Sequence, residues 1–202
     1  MSRAGLVRLT ACAGIVLAAW VGLVRQMPAW PRTPLRAFGQ VPEFALRDQA
    51  GRPVTRASLS GSVWVADFIF TRCAGQCPLM SARMQELQQA FAGMPRVRLV
   101  SFSVDPAHDD PQTLAAYARR YGATEDRWAF LTGAQDAVWR LSREGFRLGV
   151  GEEGSEAEPI THSTRFALVD PSGMIRGYYE ASEPGALRRL QEDVRQLAGA
   201  IP

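Results

Sequence analysis

Two cysteines four residues apart, followed by a proline, are the residues of this chain best placed to do chemistry: Cys73-Ala74-Gly75-Gln76-Cys77-Pro78. On a helical turn, positions i and i+4 share a face, with Cβ atoms about 5–6 Å apart. With small loop adjustments, that separation lets two sulfurs either close a disulfide or clamp one metal ion. Pro78 has no N–H to donate, so it suits the first turn of a following helix. Both thiols would then lie at a helix N-terminus, whose partial positive charge favours thiolate, and Arg72 pushes the same way. A disulfide kept only for stability is the weaker reading, because cross-linking so short a loop gains little. Two thiolates suit a soft ion such as Cu(I). A third ligand must come from a small stock, since the chain has only two histidines. His108 lies in the polar run Asp105-Pro106-Ala107-His108-Asp109-Asp110, and His162 follows an acidic stretch at the approach to a strand-like segment. Spacing does not choose between them.

The surrounding elements must bring these groups together. Residues 63–70 (VWVADFIF) form a nearly continuous apolar run of strand length, as expected for a central strand covered on both faces. It leads into the cysteine segment and then a helix whose Met80, Met84, Leu87 and Phe91 fall on one face, a core stripe and not a set of soft ligands. Asp67 interrupts the apolar strand. It is read as paired and structural, with proton acceptance for a nearby thiol as the alternative.

Upstream, residues 44–46 and 53–55 flank a turn-rich stretch and predict a hairpin. Downstream, residues 97–104 predict a strand, and Asp110-Pro111 opens a helix with Leu114, Tyr117, Ala118 and Tyr121 inward. Trp128–Leu131 reads as a short strand, and Thr132-Gly133-Ala134-Gln135 has capping-box form for a helix ending near Gly145. Residues 151–159 form an acidic loop, residues 165–170 and 174–179 a hairpin about Pro171-Ser172-Gly173, and Leu187, Leu190, Val194 and Leu197 a closing amphipathic helix. The order predicts an α/β fold: a mixed β-sheet flanked by helices, with an N-terminal β-hairpin.

The charge balance of +3 invites a nucleic-acid reading that its distribution removes. Five arginines precede Glu43, whereas the rest of the chain has 18 arginines against 20 acids. The basic excess flanks the uncharged residues 9–24, bounded by Arg8 and Arg25. That run reads as an uncleaved membrane anchor: no small-residue cleavage site follows it, and its apolar part lies after Cys12 where in a lipoprotein signal it would lead up to the cysteine. The expected organisation is an anchor or signal segment over residues 1–25, a Pro-rich spacer over 26–41 and a folded domain over 42–202. The expected location is a single-pass anchored protein with its domain exported, on the periplasmic side in a bacterium, and no nucleic-acid partner.

The stretches Asp67-Phe68-Ile69-Phe70-Thr71-Arg72-Cys73 and Cys77-Pro78-Leu79-Met80 resemble the signature of the SCO/SenC family of copper chaperones. Ser103-Val104-Asp105-Pro106 with Asp109 and Pro111, Leu131-Thr132-Gly133, and His162-Ser163 leading to Leu168, Asp170 and Gly173 agree in order and spacing. The resemblance spans roughly residues 42–198. It implies a thioredoxin-like fold in which Cys73, Cys77 and His162 bind copper as Cu(I) or Cu(II), and it selects His162 over His108. It also implies a role in assembling the dinuclear copper centre of a respiratory haem–copper oxidase. The partners implied are the copper-receiving oxidase subunit and a thiol reductant or another copper chaperone. Family members often carry Asp before the histidine. Here that position is Thr161, which removes a carboxylate that could orient the ring.

A rival reading makes Cys73 and Cys77 a redox-active pair that reduces or isomerises disulfides in a partner without metal. Thioredoxin-type reductases use a C-x-x-C spacing, so the extra residue here speaks against a general oxidoreductase. The Thr-x-x-Cys spacing of a peroxiredoxin is absent.

Overall fold

The computed structural model describes residues 33–151 and 160–199. Among them the strands are β1 (Gly39–Gln40), β2 (Ala45–Arg47), β3 (Pro53–Thr55), β4 (Val63–Ile69), β5 (Val97–Ser103), β6 (Trp128–Leu131), β7 (Val150–Gly151), β8 (Thr161–His162), β9 (Arg165–Val169) and β10 (Met174–Glu180). The helices are α1 (Gln76–Ala90), α2 (Pro111–Arg120), α3 (Gln135–Arg140) and α4 (Ala186–Ala198). The anchor expected over residues 9–24 and the acidic residues 152–159 lie outside the described residues.

Six strands form one sheet in the order β1-β10-β9-β4-β5-β6. β4, β5 and β6 run parallel, while β9 pairs antiparallel with both β4 and β10. This is the mixed sheet that the element order implied. All seven residues of β4 are buried, which explains the unbroken apolar run: a central strand covered on both faces has no solvent side to alternate with. Trp64 and Phe68 meet the Phe146 ring edge-on, and Phe68 stacks on Phe102 of β5 at 5.1 Å. Asp67 points to the opposite face, as adjacent strand residues must.

The stripe Met80, Met84, Leu87 and Phe91 is fully buried. Each such side chain contributes about 1.5–3 kcal/mol by leaving water, which holds α1 to the sheet. Asp110 caps α2 by accepting the Thr113 N–H at 2.7 Å, with Pro111 in the first position. β2 and β3 pair as the expected hairpin.

Two local expectations change. Thr132 caps no helix: its backbone exchanges hydrogen bonds with Arg47 at 2.9 Å in each direction, and α3 starts from Ala134 without a side-chain cap. Tertiary pairing to the hairpin has taken the residue that the capping pattern needed. The helix still ends at Gly145, through a wide turn over Leu141–Gly145. At the other end, residues of the stretch read as spacer enter the sheet. Phe38 and Val41 donate N–H groups to the Ile175 and Gly173 carbonyls, bracketing β1. An edge strand of two residues has no periodic signature to read.

Candidate metal centre

β4 ends at Ile69, and the chain leaves the sheet through Phe70, Thr71 and Arg72 to reach Cys73. Cys73 stands before α1 and Cys77 in its first turn, with Pro78 next. No side chain caps α1, but the Cys77 N–H points to Cys73 Sγ at 3.5 Å. A sulfur therefore stands where a cap oxygen would, against the unsatisfied N–H groups of the first turn.

His162 arrives from a different part of the chain. It lies on β8, whose pairing with β7 sets Val150 opposite His162 and Gly151 opposite Thr161. Its Nε2 is 3.0 Å from Cys77 Sγ. Its Nδ1 is 3.1 Å from the Ser163 carbonyl oxygen, which can only accept, so Nδ1 carries a proton and Nε2 is the ring atom turned to the sulfurs. The Phe70 ring stands edge-on to the imidazole, with centroids 5.7 Å apart. A backbone carbonyl and an aromatic wall thus do the orienting that a carboxylate at Thr161 would have done.

The structure brings Cys73, Cys77 and His162 together, with one ligand atom from each lying within 4.8 Å of the others. Cys77 is fully buried, Cys73 nearly so and His162 half-buried. Both cysteines are free thiols. A groove of about 750 Å³ lined by Trp139, Arg143, Val150, His162 and Ser163 opens on the histidine side. His108 is elsewhere, with its Nδ1 2.9 Å from Asp105 and 3.0 Å from Arg72.

The two thiols differ in acidity. Burial pushes Cys73 up, but the His162 side chain, the Cys77 thiol and the N–H groups of Cys77 and Gly75 outweigh it and bring the group down to about 7. Burial pushes Cys77 up, and its hydrogen bond to Cys73 adds to that. Arg72 does not act as expected. Its guanidinium is held by Asp105, through Nη2 at 2.7 Å and Nε at 3.2 Å, so the helix N-terminus and the imidazole favour the Cys73 thiolate instead.

Asp67 also departs from the reading of a paired structural carboxylate. It is fully buried, and neither oxygen has a hydrogen-bond partner among the described residues. Burial pushes it up to about 7, with the neighbouring Ser101 and His162 holding it back. Ser101, opposite in register, uses its hydroxyl oxygen to accept the Trp128 indole N–H at 2.9 Å.

Donor chemistry fits a soft ion: two buried sulfurs and one half-buried imidazole. The SCO1 protein homolog of Bacillus subtilis is 37% identical over 161 residues, covering 79% of this chain and 83% of its own. The structure of BsSco, described as a member of the Sco family of cytochrome c oxidase assembly proteins with a disulfide switch, superposes with a TM-score of 0.73 at 33% identity. That superposition covers 83% of this chain and 99% of the other. Copper-bound ScoI of Bradyrhizobium japonicum shares the fold, with a TM-score of 0.67 at 21% identity, over 79% of this chain and 99% of its own. The sequence model of SCO1/SenC matches residues 34–199, which takes in the whole described sheet and all three clustered side chains, and the chain belongs to that family.

Proposed function

We propose that this protein is a copper-binding metallochaperone that holds one copper ion on Cys73, Cys77 and His162 and passes it to the dinuclear copper centre of a respiratory haem–copper oxidase. The observation that carries this reading is the convergence of two sulfurs and an imidazole Nε2 within 4.8 Å, from segments 85 residues apart in sequence for Cys77 and His162. Two thiolates serve Cu(I), and the added imidazole makes the site acceptable to Cu(II). The groove beside His162 supports hand-over, since it leaves the nitrogen side of the site open to a receiving subunit. The basic, apolar N-terminus and the spacer before the folded domain fit a single-pass anchor that holds an exported domain near a membrane oxidase.

The test is transfer. Copper-loaded protein is mixed with the copper-free soluble domain of an oxidase subunit that carries the dinuclear site, and the absorption of the assembled centre is followed. The expected result is assembly with loss of copper from the donor. If the receiving domain's disulfide is reduced while no copper moves, the thiol–disulfide oxidoreductase reading replaces this one.

A further inference from the structure

Two buried carboxylates of the loop after β5 lie outside the cluster of sulfurs and imidazole. Asp109 is fully buried and accepts three hydrogen bonds. The Thr71 N–H donates to Oδ2 at 3.1 Å, the Thr71 hydroxyl to Oδ1 at 2.5 Å and the Ser103 hydroxyl to Oδ2 at 2.5 Å. Asp105, nearly buried, grips Arg72 as described above and faces His108 with its other oxygen. The loop is closed on itself, since the N–H groups of His108 and Asp109 both reach the Asp105 carbonyl, at 3.0 and 2.9 Å.

These bonds tie the two residues immediately before Cys73 to the end of the neighbouring strand. Cys73 needs such a hold. It precedes α1, so the helical ladder that fixes Cys77 does not fix it, and its own N–H reaches the Phe70 carbonyl at 3.3 Å. A buried carboxylate is costly unless its oxygens are satisfied. Here two of the three bonds that satisfy Asp109 come from Thr71.

We propose that Asp109, supported by Asp105 through Arg72, is a positioning residue for Cys73, fixing where that sulfur stands relative to Cys77 Sγ and His162 Nε2. The inference rests on the reading that these three groups act as one site. Asp109 touches neither sulfur nor imidazole by hydrogen bond among the described residues. It acts through Thr71.

The test uses Thr71→Val, Thr71→Ser and Asp109→Asn in the full chain, with thermal melts as the control for folding. The first readout is free of metal: two protein thiols and one glutathione disulfide exchange to give the Cys73–Cys77 disulfide and two glutathione thiols, and the equilibrium constant is measured. The second is competition for Cu(I) against bicinchoninate. Thr71→Val and Asp109→Asn are expected to lower the exchange constant and the Cu(I) affinity by about 10-fold or more, in the range seen for groups that orient ligands. Thr71→Ser, which restores the hydroxyl, is expected to return both to wild-type values. Wild-type values for folded Thr71→Val in both readouts would overturn the proposal, whatever happens to the melt, and this variant decides if Asp109→Asn does not fold. If the wild type holds no copper while Thr71→Val still shifts the exchange constant, the copper reading falls and the positioning role stands.

Discussion

The two halves of the metal centre are built to different standards. The cysteine half hangs from β4, a central strand with every residue buried, and from α1, whose apolar stripe is fully buried. The histidine half hangs from β7 and β8, a ribbon of two residue pairs with Thr161 exposed. Two-stranded ribbons are marginal by themselves. This one is held by the Ser163 N–H on the Gly149 carbonyl at 3.0 Å and by the Phe70 ring against the imidazole. The sulfurs therefore stand on the core, and the imidazole on a piece that can yield. Such an arrangement gives affinity to the dithiol and adjustment to the histidine.

The largest expected effect follows from the rigid half. Cys77→Ser or Cys73→Ser should abolish stable copper binding, read as metal retained after desalting; retention by either variant would place the affinity elsewhere. Next comes the ribbon half. His162→Ala should still hold Cu(I) on two sulfurs but lose the sulfur-to-Cu(II) absorption band, so a Cu(I) loss as complete as that of Cys77→Ser would erase the distinction between the halves.

Smaller effects probe the asymmetry within the dithiol. Iodoacetamide should modify Cys73 with a midpoint near pH 7, while Cys77 stays silent, mapped by mass spectrometry. The same acidity sets a stability slope. Between about 7 and the ordinary thiol range, the folded state holds fewer protons on Cys73 than the unfolded state does. Metal-free stability should rise with pH through that window and lose this contribution as pH falls through 7. Asp67 acts in the opposite sense, because its folded form keeps a proton up to about 7 that the unfolded chain releases near 4. Stability should therefore decline from pH 4 to 7, and Asp67→Asn should flatten that decline. An unchanged slope in the variant would show that Asp67 is not the group responsible.

Much of the architecture was legible because local and long-range demands coincide. The run at 63–70 has the length and continuity of a covered strand, Asp110-Pro111 both caps and starts α2, and the methionine stripe is core. Thr132 shows where the two demands part: its capping pattern is sound, but pairing with Arg47 outcompetes it. In the site, the cysteine spacing carried its own signal, whereas spacing left His108 and His162 level and only the family resemblance chose His162; the pairing of β7 with β8 that places it leaves almost no trace in sequence. Arg72 looked like a partner for the thiols because it is adjacent to Cys73. Its partner is Asp105, 33 residues away. The orienting groups of His162 were hidden for a different reason, since a backbone carbonyl has no residue type to recognise.

The most direct test of the central claim is a titration of the reduced protein with Cu(I) and then Cu(II), run in parallel on the wild type, Cys73→Ser, Cys77→Ser and His162→Ala. The expected result is one copper per wild-type chain, no stable binding in either cysteine variant, and loss of the Cu(II) spectrum in His162→Ala. A His162→Ala protein whose Cu(II) affinity and spectrum match the wild type would contradict the assignment of the third ligand, and a wild type that binds no copper would contradict the site as a whole.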